Sequence, residues 1–130
     1  ATSYGELRRD GLDCERTNRL NPSDARQVPY VEELLGDGMY PTIAVSDNQI
    51  AVPDMIRQWV GGDYTVLGTD GFGRSDTRPN LRKFFEIDAQ NITLAALSSL
   101  VRSKEIDLQI FEKAIKNMGI EKEKHDITAL

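Results

Sequence analysis

The residues best placed to do chemistry form one stretch, Gly68-Thr69-Asp70-Gly71-Phe72-Gly73-Arg74-Ser75-Asp76. A β-branched strand pattern ends there in a glycine-rich loop that opens a helix. Such a loop can cradle phosphate, because small residues let backbone N–H groups approach and a helix N-terminus favours an anion. The dinucleotide fingerprint is not met. Gly71-Phe72-Gly73 is followed by Arg74, Ser75 and Asp76, with no third glycine where helix and strand would pack closely. No phosphate-loop lysine follows, and Asp76 repels a phosphate unless Arg74 or Arg78 pairs with it. A turn and helix cap explains the same residues without any ligand, and that is the preferred reading.

Other candidates are thinner. His125 is the only histidine and lies in a charged tail, where nothing positions a base or excludes water. Cys14 is the only cysteine. It faces inward on a helix and reads as packing rather than nucleophile. One thiol forms neither an internal disulfide nor a thiolate metal cluster, and a reducing cytoplasm is its natural setting. The carboxylates show no pairing at metal-site spacing.

The elements that must position these residues follow from periodicity. Residues 5–19 predict a helix, with Glu6–Arg9, Arg9–Asp13, Asp13–Arg16 and Glu15–Arg19 at ion-pair spacing and Leu7, Gly11 and Cys14 facing inward. The charged side reads as solvated. Asn21-Pro22-Ser23-Asp24 is a loop, Val28–Leu35 a short apolar patch, and Gly36-Asp37-Gly38 a turn. Thr42–Ser46 predicts a buried strand. Val52, Met55, Ile56, Trp59 and Val60 predict one helix with an apolar stripe, stopped by Gly61-Gly62. Tyr64–Leu67 predicts a second strand. Three helices follow: one carrying Leu81, Phe84 and Phe85, one capped by Asp88 and apolar on most sides from Ile92 to Val101, and one starting at Asp107. The last has Leu108, Phe111, Ala114, Ile115 and Met118 as its stripe, a staple between Ile106 and Phe111, and Gly119 as its left-handed cap.

Strands alternating with helices predict an α/β fold with parallel pairing. Two strands make a meagre sheet, so the domain is expected to lack its first βα units, with Ala1-Thr2-Ser3 as the stub of a third strand. Residues 1–120 are read as one domain and 121–130 as a charged tail. The chain has 130 residues, 39% of them apolar and 28% charged, which suits a globular domain. Its net charge of −5 argues against coating nucleic acid, whose phosphates demand an excess of Lys and Arg. Ala1-Thr2-Ser3-Tyr4 shows no signal-peptide pattern, and no apolar run approaches the ~20 residues of a membrane span.

Three stretches carry a resemblance: SYGELRRDGLDCERTNRL (3–20), IAVSDNQIAVPDMIRQWVGGDY (43–64) and LGTDGFGRSDTRPNLRKFF (67–85). In this order and spacing the chain resembles the C-terminal region of the homodimeric, thiamin-dependent pyruvate dehydrogenase first component, a transketolase-like family. LGTDGFGRSDTR is its most specific segment. Thr17 departs from an expected tryptophan, and Asn48-Gln49-Ile50 from an aromatic-containing stretch. The resemblance implies a transketolase C-terminal-like domain with a mostly parallel sheet flanked by helices. It implies pyruvate decarboxylation on thiamin diphosphate with Mg, and acetyl transfer to lipoyl, in the intact cytoplasmic enzyme, linking glycolysis to acetyl-CoA. Both cofactors would be bound outside this segment. Gly36-Asp37-Gly38 matches the opening of the thiamin motif, but Asn48 comes too early to close its ligand set.

No catalytic, cofactor-binding or metal-binding residue carries over to this numbering, and the segment alone is expected to be inactive. Its implied partners are the upstream domains, the second subunit of a homodimer and the lipoyl acetyltransferase component, with neither nucleic acid nor membrane. Asp70, Phe72, Arg74 and Asp76 are the expected inter-domain contact loop. The alternatives are another transketolase-like enzyme, and a stand-alone phosphate- or nucleotide-binding or interaction module.

Overall fold

The computed structural model describes residues 1, 3–71, 75–120 and 122. The chain forms two compact units, Ala1–Thr42 with Ala51–Tyr64, and Ile43–Ile50 with Thr65–Leu130.

The first unit is built on α1 (Tyr4–Leu20). Ser3 is its cap: the side chain accepts from the Glu6 N–H at 3.2 Å, satisfying one of the donors that a helix start leaves unpaired. Ser3 therefore opens a helix rather than closing a strand, and the sheet among the described residues has two strands. Of the four expected charge pairs on α1, Glu6–Arg9 forms, whereas Glu15 accepts from Gln58 at 2.7 Å instead of meeting Arg19. The polar side of α1 is thus partly used inside the unit. Asp10 accepts from the Tyr30 N–H at 2.8 Å. It caps α2 (Tyr30–Leu35), whose own cap position is Pro29 and offers no side-chain oxygen. Asn18 pairs with both backbone groups of Gln27, at 2.8 and 2.9 Å, and so ties down the loop between the helices.

Gly11 is the one fully buried residue of α1. A Cβ there would stand 2.4 Å from Trp59 Cζ2, so the indole is seated where only a glycine leaves room. The stretch around Trp59 departs from the expected single helix. α3 covers only Ala51–Asp54, and a 3₁₀ turn follows at Arg57–Trp59. The Met55, Trp59 and Val60 N–H groups each bond three residues back. A period of three stacks Pro53, Ile56 and Trp59 on one buried face, while Met55, from the predicted stripe, is left 40% exposed. Arg57 fastens this turn, donating to Asp54 at 2.6 Å and to the Tyr64 carbonyl at 2.7 Å and lying 5.0 Å from the centre of the Tyr64 ring. Gly61 passes so close to the Gly36 carbonyl that a Cβ would fall 2.2 Å from its oxygen.

β1 (Thr42–Val45) and β2 (Tyr64–Leu67) form the sheet. Thr42 donates to Asp63 and Ser46 to Leu67. The pairing advances in the same direction along both strands, so they are parallel, as the helical crossover between them requires. β1 is half-buried rather than buried, and Val45 is 39% exposed. β2 alternates buried and half-buried residues.

The second unit continues with α4 (Arg78–Phe84), α5 (Ala89–Arg102) and α6 (Leu108–Met118). Pro79 suits the first turn of α4, where its missing N–H costs nothing. Asp88 caps α5 by accepting from the Asn91 N–H at 3.0 Å. α5 packs against α6, yet most of its apolar residues are only half-buried and Ser99 alone is fully enclosed. This corrects the expectation of a helix buried between neighbours. On α6 the stripe begins at Phe111, for Leu108 is 56% exposed. Gly119 ends α6 with φ of 63°, the left-handed cap its position predicts.

Candidate functional site

The loops after β1 and β2 leave the C-terminal ends of the parallel strands, where open α/β sheets place their ligands. The two loops are sewn together. Thr69 donates its N–H to the Asn48 carbonyl at 3.0 Å and its hydroxyl to the Asp47 carbonyl at 2.7 Å. Asp70 accepts from the Ile50 N–H at 2.8 Å. Gly68 is needed here because a Cβ would fall 2.8 Å from the Asn48 oxygen and 2.9 Å from the Ile50 nitrogen. One of the four expected contact residues, Asp70, therefore has a carboxylate oxygen that serves the backbone of the neighbouring loop.

Asp76 accepts from the Thr77 N–H at 2.7 Å and from the Asn80 side chain at 3.0 Å. It lines a cavity of about 570 Å³ together with Asn80, Lys83, Glu86 and Asp88. Asp70 is not among that cavity's walls. The two aspartates fix separate pieces of backbone at either end of the glycine-rich loop. Phe72 and Arg74 lie outside the described residues, as does His125.

The remaining candidates are structural. Burial is the main cause that pushes the Cys14 thiol above its ordinary pKa, with Asp10 and Asp13 adding to it. A raised pKa lowers the thiolate fraction and leaves the sulfur a poor nucleophile at neutral pH. Asp37 accepts from the Met39 N–H at 3.0 Å, so Gly36-Asp37-Gly38 is a turn that satisfies itself. Tyr64, not singled out by sequence, has its hydroxyl sealed inside the first unit, donating to the Pro53 carbonyl at 2.7 Å. Burial pushes its pKa up to about 12.

A second cavity, of about 400 Å³, was also missed. Its walls come from the loops after the two strands, through Asp47 and Thr69, from α4 through Arg78, Leu81 and Arg82, and from Phe85 and Ile87 just beyond it. Arg78, Leu81, Arg82 and Phe85 recur at i, i+3, i+4 and i+7, a helical-face pattern present in the sequence.

A family model described as the transketolase-like TK C-terminal domain matches residues 2–88. The chain belongs to that family, and its parallel strands with flanking helices agree. Among curated proteins it is similar to the pyruvate dehydrogenase E1 component of Pseudomonas aeruginosa, 48% identical over 125 residues, which is 95% of this chain and 14% of the relative. It is 44% identical over 124 residues to that of Escherichia coli K12, again 95% of the chain and 14% of the relative. The Mycolicibacterium smegmatis protein is 44% identical over 120 residues, 92% of the chain and 13% of the relative. The chain thus spans about 14% of the length of the curated relatives it matches.

Among the described residues no group of three or more His, Cys, Asp or Glu side chains could hold a metal ion, and Asp37 is occupied by its own turn. Among the same residues no helix is long and apolar enough to cross a membrane.

Proposed function

We propose that this chain works as a C-terminal, non-catalytic part of a thiamin-diphosphate-dependent pyruvate dehydrogenase first component. In that reading residues 1–120 act as one transketolase C-terminal-like domain and 121–130 as its tail. The longer cytoplasmic homodimer decarboxylates pyruvate and passes the acetyl group to the lipoyl acetyltransferase component. The observation that carries the proposal is near-half identity, sustained over nearly the whole chain, with proteins named pyruvate dehydrogenase E1 component.

The role proposed for the segment itself is packing against upstream domains, support of the dimer and docking. Asp70, Phe72, Arg74 and Asp76 form the contact loop. The anchoring of Asp70 to the Ile50 N–H and of Asp76 to the Thr77 N–H supports this reading, because it fixes both ends of the loop. Exposed apolar residues of the first unit, Met39 at 68% and Tyr40 at 74%, are surface that a larger protein would cover. The test is Phe72→Ala with Arg74→Ala in the full-length enzyme. Weakened dimerisation or slower lipoyl transfer is expected, with thiamin diphosphate binding retained. Unchanged dimerisation, transfer and turnover would overturn the loop's role.

A further inference from the structure

We infer that the cavity under α4 is a binding site for a small organic anion, a phosphate or carboxylate joined to an apolar or aromatic body. The inference goes beyond the proposed function and does not depend on it. The cavity measures about 400 Å³ and is lined by Asp47, Thr69, Arg78, Leu81, Arg82, Phe85 and Ile87. That volume lies within the ~300–1,000 Å³ of small-molecule pockets.

Arg78 and Arg82 stand one helical turn apart on the same face of α4 and reach the same cavity. Like charges at this spacing cost a helix a few tenths of a kcal/mol. Neither side chain has an ion-pair partner among the described residues. Two such guanidiniums, each a planar fork of donors, match the oxygens of a phosphate or carboxylate.

Leu81, Phe85 and Ile87 give the cavity an apolar side. Ile87 is 7% exposed, so that side is continuous with packed interior. An ion alone would leave this surface wet, whereas an apolar body attached to the ion covers it. Thr69 contributes shape rather than a donor, since its hydroxyl proton is committed to the Asp47 carbonyl. The Asp47 carboxylate opposes an anion, but one carboxylate against two guanidiniums leaves the walls net positive. It also offers an acceptor to a hydroxyl on the ligand. The loops that present Asp47 and Thr69 are bonded to each other, so this wall exists before any ligand arrives.

The experiment is calorimetric titration of the full-length protein with phenyl phosphate, benzoate, inorganic phosphate and phenol. Saturable binding of phenyl phosphate or benzoate is expected, and the tighter of the two identifies the anion. Inorganic phosphate should bind at least tenfold more weakly and phenol not measurably. Arg78→Gln and Arg82→Gln should each weaken the aromatic anion at least tenfold. Leu81→Ala should weaken it while leaving inorganic phosphate unchanged, a split that loss of folding would not produce. No binding of either aromatic anion, or binding that both arginine variants retain in full, would overturn the inference. Equal affinity for inorganic and phenyl phosphate would overturn the apolar half of it.

Discussion

The two compact units are held together differently. In the first, Val31, Ile56, Trp59, Val60 and Tyr64 are buried side chains, and glycines let chain segments touch backbone to backbone. In the second, the buried apolar side chains among the described residues are Val66 and Ile87, and side chains cap backbone at Ile50, Thr77 and Asn91, as Asp10 and Asn18 do in the first. Both cavities described above are lined by the second unit. Close packing leaves no room for a ligand. Loops fixed by hydrogen bonds keep their shape while leaving space between them. The contrast is between a unit closed by packed side chains and one in which loops border the two cavities.

The contrast is sharpest at Trp59. Trp59→Ala removes a ring that is 5% exposed and should destabilise the protein by about 3–5 kcal/mol, read by urea unfolding followed in the far ultraviolet. Phe111→Ala on α6 is the matched truncation in the second unit. Its ring is only half-buried, so roughly half that loss is expected in the same measurement. A loss at Phe111 equal to that at Trp59 would break the comparison.

Tyr64→Phe should cost about 1–2 kcal/mol near neutral pH, because the Pro53 carbonyl loses its donor inside the first unit. It should also change the alkaline limb. The Tyr64 phenol ionises near its ordinary value of 10 in the unfolded chain and at about 12 when folded. Its contribution is thus complete below pH 10 and is lost as pH rises toward 12, by at most roughly 2–3 kcal/mol. Stability measured from pH 9 to 12 should fall less steeply in Tyr64→Phe than in the parent. Smallest is Asp88→Ala, which removes the cap of α5 and should cost about 1 kcal/mol in thermal unfolding, with Asp88→Asn recovering most of it.

Much of the fold is legible in the residues themselves. α1, β2, the Asp88 cap and the Gly119 stop fall where periodicity and cap chemistry put them, because each depends on neighbours within about one helical turn or one strand. The stretch from Val52 to Val60 is not legible for the opposite reason. Its apolar spacing satisfies a 3.6 period, but burying Pro53, Ile56 and Trp59 together selects a period of three. The burial of α5 is not legible either, since an apolar composition does not say how much of the helix its neighbours cover.

The candidate site divides in the same way. The glycine-rich loop stands out in the sequence as a strand-to-helix turn. That Asp70 would serve Ile50, twenty positions away, is not written in local spacing. Nor is the joining of Asp47 and Thr69 to the arginine face of α4 in one cavity. By itself the sequence determined the family, the alternation of strands and helices apart from α2 and the 3₁₀ turn, and the caps at Asp88 and Gly119, all consequences of short-range chemistry. Only the tertiary structure decided which carboxylates are committed to backbone and which guanidiniums lack an ion-pair partner among the described residues. Those outcomes depend on contacts between segments far apart in the chain, which residue spacing does not encode.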